Sequence, residues 1–251
     1  MRVIRNTGYI KRRKRAAKFM VLAGLMLLGG SWVVTLFYPN LFIAATVGLV
    51  LGFLGFNGGM QQIGRWSRRP RADKVLDDQL ARLNDRYTLI HYPDFPGRRP
   101  DHILVMPTGV LVMSLRELSG RALVKGKMWR KKGSPLGRMF MLSAPQLGNP
   151  TIENEEQVRA VTSALTEHGM SAEVKGAIVF VALNIEVEII DSDTPVLHVT
   201  ELLDYIRDDL GGDVSVSGRD RERIVEQLAR GDELERNAVA PARARKKVRA
   251  A

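Results

Sequence analysis

Residues 19–37 read FMVLAGLMLLGGSWVVTLF, from Phe19 to Phe37, without one charged side chain. At about 1.5 Å per residue such a helix reaches roughly the 30 Å of a bilayer's hydrocarbon core. Tyr38-Pro39-Asn40 then interrupts it, because proline has no N–H with which to continue the helix above. A second uncharged stretch runs from Leu41 to Ile63 and ends at Gly64-Arg65-Trp66. A core helix of a soluble protein carries polar residues at helical spacing, and neither run does. The pair reads as a transmembrane hairpin. A cleaved signal peptide is the competing reading of the first run, and its length and the immediate second run weigh against that.

Working outward, eight Lys/Arg precede the first run, five of them in Lys11-Arg12-Arg13-Lys14-Arg15, and four follow the second (Arg65, Arg68, Arg69, Arg71). The turn between has none. Positive charge collects on cytoplasmic flanks, so both ends are expected in the cytoplasm of a two-span protein of the cell membrane. Trp66 and Tyr38 stand where interfacial aromatics belong. Gly24, Gly29, Gly30, Gly48, Gly52 and Gly55 would let the helices approach closely, or reflect only the general abundance of glycine in membrane helices.

The chain of 251 residues leaves room for one further domain. It has no cysteine, which excludes disulfides, thiolate metal sites and cysteine nucleophiles. Four histidines (His91, His102, His168, His198), none close to another in sequence, argue against a histidine-rich metal site. The net charge of +11 is unevenly placed. Residues 1–72 hold 12 basic residues and no acid, and the tail from Pro241 holds five more. The middle keeps 21 basic against 27 acidic residues, so the surplus belongs to the flanks, where it suits topology and anionic lipid.

Beyond the linker Ser67–Arg71, residues 72–85 carry Val75, Leu76, Leu80 and Leu83 on one helical face. Strands are expected at 87–92, 102–106 and 110–115, the last two joined through Pro107-Thr108-Gly109 as a hairpin. Further strands follow at 121–124 and 128–130, and residues 133–150 are loop-rich. Residues 152–168 show helical periodicity, and 177–182 form an apolar run fit for a strand buried on both faces. Short strands at 187–190 and 196–199 precede a helix at 201–210, capped by Thr200 and stopped by Gly211-Gly212. A last helix spans 218–228, and the chain after Asn237 reads as disordered. The organisation is a basic N-terminus (1–18), a transmembrane hairpin (19–37 and 41–63), an α/β domain with a mixed sheet (72–211), a helical extension (212–236) and a basic tail (237–251).

The block Pro100-Asp101-His102-Ile103-Leu104-Val105-Met106-Pro107-Thr108-Gly109-Val110-Leu111-Val112 resembles the nuclease-related domain family. That family belongs to the restriction-endonuclease-like PD-(D/E)xK group. Ser119-Gly120, Trp129, Asn149-Pro150 before the helix with Gln157, the strand 178–181 and Val199-Thr200-Glu201-Leu202-Leu203 continue the resemblance in order. It implies a restriction-endonuclease-like fold and metal-dependent phosphodiester hydrolysis. In that chemistry an aspartate opening the hairpin and a Glu-x-Lys on the next strand gather Mg²⁺ and orient the attacking water.

Asp101 occupies the aspartate position and is the one expected metal ligand, a weak one. The Glu-x-Lys position reads Ser114-Leu115-Arg116. Serine brings no charge, and arginine stays protonated, able to hold a phosphate but not to act as a base. Glu117 falls on the opposite strand face, and Asp73 matches an acidic residue of the family's first helix. Asp101, Ser114, Arg116 and Gln157 are therefore the candidate site of a degenerate nuclease. No cofactor is expected, Mg²⁺ entering only if hydrolysis survives.

Arg121, Lys125, Lys127, Arg130, Lys131, Lys132 and Arg138 cluster around Trp129. Three readings stand: a phosphate-binding patch, a solvated strand edge whose lysines block pairing, or a surface for anionic lipid. No Walker A, Gly-x-Ser-x-Gly or His-Glu-x-x-His motif is present. Membrane lipids, nucleic acid and another protein are the expected partners. The functions open are a catalytically degenerate membrane-tethered binding or scaffold module, an active nuclease using Asp101, and a purely protein-binding module.

Overall fold

A computed structural model describes residues 1–95, 97–132, 148–182 and 184–238. The chain folds as two units: Tyr9–Arg71, and Met1–Gly8 together with most of the chain from Ala72 onward.

In the first unit, α1 (Thr7–Phe37) and α2 (Phe42–Ser67) are joined through Tyr38 and a single 3-10 turn, Pro39–Leu41. Both are long and apolar enough to cross a membrane. Their large apolar side chains point outward: Phe19, Met26, Phe37 and Ile43 are exposed. That is the reverse of a soluble core helix and leaves an apolar exterior. Small residues fill the seam between the helices. A Cβ on Gly24 would lie 2.4 Å from the Phe56 nitrogen, and one on Gly52 2.9 Å from the Leu28 nitrogen. One on Gly59 would lie 2.8 Å from the Val21 nitrogen. Gly29 and Gly30 face open space, so only part of the glycine set serves the seam. Trp66, expected at an interface, is buried, with Tyr9 edge-on at 5.6 Å and its indole N–H donating to Gln62 at 3.0 Å.

This geometry predicts unequal effects of two similar substitutions. Gly24→Val will destabilise the helix pair by about 1–3 kcal/mol, because backbone cannot yield to the added carbons. Gly29→Val will leave it unchanged. Thermal melting of the full chain in detergent micelles separates the two, and equal melting temperatures would contradict the seam.

The second unit is an α/β domain. Its main sheet has seven strands in the order β10-β1-β2-β3-β4-β7-β9. These are β1 (Arg2–Asn6), β2 (Thr88–His91), β3 (His102–Met106), β4 (Gly109–Arg116), β7 (Val174–Phe180), β9 (Val196–His198) and β10 (Leu234–Ala238). The sheet is mixed. The pairs β1–β2, β4–β7 and β7–β9 are parallel, and β10–β1, β2–β3 and β3–β4 antiparallel. The β3–β4 hairpin turns on Pro107-Thr108, with Met106 opposite Gly109. Gly109 takes φ +146, and a Cβ there would lie 2.5 Å from the Glu173 carbonyl oxygen, so no other residue fits.

Successive residues of β2, β3 and β4 point to opposite faces, and both faces are covered, which explains the unbroken apolar runs. On one face α3 (Ala72–Leu80) and α5 (Leu202–Asp208) pack Leu76, Leu80, Leu202 and Ile206 against Leu89, Leu104, Leu111 and Met113. On the other, α4 (Pro150–Glu167) and α6 (Gly218–Leu228) pack Val161, Leu165, Ile224 and Leu228 against Ile103, Val105, Val110 and Val112. Each such buried aliphatic side chain contributes about 1.5–3 kcal/mol before conformational entropy is subtracted. Asn149 caps α4 by accepting from the Ile152 N–H at 3.2 Å, and Pro150 follows where no donor is needed. A smaller sheet, β6-β5-β8, comprises β5 (Gly120–Lys125), β6 (Met128–Lys132) and β8 (Ile185–Asp191). Ala122 and Trp129 from it pack with Ile178 and Phe180 of the main sheet.

Several expectations change here. Residues 1–18 are not simply a basic leader, since Arg2–Asn6 forms a strand inside the main sheet. The α/β unit extends beyond 72–211, taking in β1 and the final strand β10. Asn237 therefore lies in a strand, while the basic tail from 239 lies outside the described residues. The helix expected over 72–85 ends at Leu80. Thr200 does not cap α5, whose N-cap is Glu201 without a side-chain cap; the Thr200 hydroxyl instead meets His198 Nδ1 at 2.7 Å.

Candidate functional site

The β3–β4 register pairs His102 with Met113, so Asp101, one step further, stands across from Ser114. Asp101 shares the parity of Ile103 and Val105, and Ser114 and Arg116 share that of Val110 and Val112, which face α4. Strand β4 thus presents Ser114 and Arg116 toward the N-terminal part of α4, where Glu153, Asn154 and Gln157 sit.

Ser114 is fully buried and completely occupied. Its hydroxyl donates to Gln157 Oε1 at 2.9 Å and accepts from Asn154 Nδ2 at 3.0 Å. The same Asn154 amide reaches the Val112 carbonyl at 3.2 Å and the Ala177 carbonyl at 3.3 Å, stitching α4 to β4 and β7. Beside this neutral lock lies an ionic one. Arg116 donates to Glu153 Oε2 at 2.7 Å, and Arg98 reaches the same oxygen at 3.0 Å. Arg116 Nε is buried with no hydrogen-bond partner, leaving an unused charged donor at the site. Among the described residues no three His, Cys, Asp or Glu side chains are placed to hold a metal ion.

Two members of the basic cluster are paired with carboxylates. Arg121 pairs with Glu186 at 2.5 Å and Lys127 with Glu155 at 2.7 Å. Lys125 and Arg130 are exposed. In register, Lys131 stands beside Ala122 and Lys132 beside Arg121. Arg138 lies outside the described residues. The Trp129 indole donates to Thr151 at 2.8 Å and its ring packs 6.0 Å from Phe180.

A second polar cluster escaped the sequence reading. Arg5, carried by β1, donates from Nε to Asp73 Oδ2 at 2.7 Å and from its terminal nitrogen to Asp77 Oδ2. Asp77 also meets His91 Nε2 at 2.8 Å, and His91 Nδ1 lies 2.6 Å from His102 Nδ1. All five side chains are buried. The histidines, eleven residues apart, become direct cross-strand neighbours in the β2–β3 register. Asp73 and Asp77, one helical turn apart on a face that also carries Leu76 and Leu80, were the available signal.

Burial alone pushes the Asp77 carboxyl up, but its hydrogen bond to His91 and the charges of His91 and Arg5 outweigh this and hold it below the usual range. The sign follows from linkage. A carboxylate with a depressed folded-state pKa stabilises the fold above its unfolded value of about 4, and that contribution is lost as pH falls through the folded value. Acid unfolding of the full chain below about pH 4 should therefore soften in Asp77→Asn, at the cost of lower neutral-pH stability. A parallel acid branch in the two proteins would assign the acid sensitivity elsewhere.

The description of the family whose model matches residues 69–181 is "Nuclease-related domain". The segment 69–181 is a nuclease-related domain. No curated protein and no solved structure matches the chain. The nuclease-related segment spans α3, β2 to β6, α4 and β7, and so contains Asp101, Ser114, Arg116, Asn154 and Gln157. Strands β1 and β10, which complete one side of the sheet, lie outside it.

Proposed function

We propose that this chain is a membrane-anchored nuclease-related domain protein that has exchanged hydrolysis for binding. The observation that carries the reading is Ser114. At the position of the expected metal-binding glutamate stands a buried hydroxyl whose hydrogen bonds are taken by Gln157 and Asn154. Glu153, the carboxylate nearest Arg116, is held by two arginines instead of facing an open site. These side chains do not fit a Mg²⁺ centre, which needs oxygen ligands free to turn toward the ion. What remains suits an anion: the half-exposed Arg98, with Arg116 beside it on the shared Glu153. The ligand class is a phosphate-bearing partner, nucleic acid first, with anionic lipid second.

The anchor reading gains support from β1. It precedes α1, yet pairs with β2, which follows α2. If both helices span a bilayer, the two ends of the hairpin leave it on the same side, and the flanking arginines and lysines favour the cytoplasmic one.

The test uses the full chain in detergent micelles with single- and double-stranded DNA and RNA, in Mg²⁺ and in Mn²⁺. The expected result is no cleavage, with salt-sensitive binding weakened several-fold by Arg116→Gln. Metal-dependent cleavage abolished by Asp101→Ala would overturn the proposal and establish an active nuclease. Absence of any nucleic-acid or anionic-vesicle binding would leave a protein-binding module instead.

A further inference from the structure

The helix pair α1–α2 is inserted into the α/β unit. β1 is that unit's first element and α3 its second, and Tyr9–Arg71 lies between them. β1 sits between β10 and β2, parallel to β2 and antiparallel to β10. It feeds both cores: Val3 packs on the α3 and α5 side, and Ile4 on the α4 and α6 side. Arg5 has the parity of Val3, and so faces α3, where it pairs with Asp73 and Asp77.

The connections at the two ends of the insertion are short. Buried Asn6 ends β1, and α1 begins at the next residue, whose N–H donates to the Glu233 carbonyl at 2.9 Å. Only residues 68–71 separate α2 from α3. The Arg5–Asp73 contact at 2.7 Å thus joins the strand before the insertion to the helix after it. Four extended residues reach about 14 Å, roughly half of a 30 Å hydrocarbon core. A strand with unpaired backbone groups does not rest inside that core either. If α1 and α2 are spans, β1 reaches its place only when both ends of the insertion emerge on one side. Its absence is costly, since Asp73 and Asp77 are buried and lose the guanidinium they share.

We propose that the insertion makes the fold conditional on membrane topology: the α/β unit closes only when both ends of the helix pair lie on the same side of the bilayer. β1 is the element that reports this. A chain in which one helix fails to insert holds β1 on one side and β2 and β10 on the other, and its sheet stays incomplete. Whatever the unit binds, it then binds only from chains inserted as a hairpin. The proposal rests on the reading of α1 and α2 as spans, and the experiment checks that reading separately.

The chain has no cysteine, so single substitutions report sidedness. Arg15→Cys, Asn40→Cys and Asp208→Cys, one at a time in the full chain, are labelled with a membrane-impermeant maleimide in sealed vesicles. One apolar helix of about 20 residues is then added within 68–71, or two such helices joined by a short loop. Limited proteolysis, with protease brought to both sides by freeze–thaw, reads the closure of the unit. In the parent, residues 15 and 208 should share a side and residue 40 lie opposite. One added helix should place 208 opposite 15 and speed cleavage between 72 and 238 by about tenfold or more. Two added helices should return 208 to the side of 15 and cleavage to near the parental rate. Arg5→Met should speed cleavage in the parent and in the chain with two added helices, and add nothing where 15 and 208 lie apart. Residue 40 labelled from the same side as 15 and 208 in the parent would overturn the span reading, and the proposal with it. With the spans upheld, chains with 15 and 208 on opposite sides that resist protease like the parent would overturn the proposal alone. So would chains with two added helices that are cut as fast as those with one.

Discussion

Replacing Arg5 with methionine will unfold most of the α/β unit while leaving α1 and α2 helical. The substitution strands Asp73 and Asp77, both buried, without the guanidinium they share. Removing one partner of a buried ionic cluster costs about 3–5 kcal/mol, because the remaining charge stays desolvated. A domain of this kind holds only about 5–15 kcal/mol in total. The loss also loosens β1, which exposes β2 as an edge and takes from β10 the strand it pairs with. Limited proteolysis of the full chain reads this out, since cleavage should appear between 72 and 238 and spare the hairpin. Adding Asp73→Asn and Asp77→Asn to Arg5→Met should restore much of the resistance, because neutral partners no longer need the cation. A single substitution as resistant as the parent would show that Arg5 is not what neutralises the carboxylates.

Placing a carboxylate at position 114 will fail for a related reason. Ser114→Glu places a charged group where Gln157 presents its carbonyl oxygen and no solvent reaches. The hydroxyl's donated bond is lost, and the larger carboxylate meets Gln157 Oε1 acceptor to acceptor. A cost of about 2–4 kcal/mol follows from burying an ill-matched polar group, before any steric strain. Ser114→Ala, which only removes a partner from Asn154 and Gln157, should cost about 1–2 kcal/mol. Ser114→Glu with Arg116→Lys should yield no nuclease activity, since Glu153 then pairs with the lysine. Denaturant unfolding orders the three variants, and metal-dependent cleavage by the double variant would show that the site can reopen.

Most elements were legible because their signals are local. Val110-Leu111-Val112 beside Pro107-Thr108-Gly109 announces a buried hairpin strand, and the structure places it there. The 218–228 periodicity announces α6, which has those bounds, and the Ser217 hydroxyl caps it by accepting the Asp220 N–H at 3.1 Å. The candidate site was half legible. Ser114 and Gln157 do meet, while Glu153, Asn154 and Arg98 join Ser114 and Arg116 through α4 packing and a loop. Arg2–Asn6 was not legible at all, because its two arginines argue against a buried strand unless their partners are known. The partners of Arg5 lie 68 and 72 residues further along the chain.

The sequence by itself determined two apolar runs at 19–37 and 41–63, an α/β order of elements, and the Ser114-Leu115-Arg116 stretch on the second strand of the hairpin. Composition, period and residue identity carry those. Only the tertiary structure decided that the strand before the hairpin belongs to the domain after it. The same holds for Ser114 being locked by α4. Those outcomes depend on which distant groups meet in a low-dielectric interior, where a charge or donor is tolerated only beside its complement.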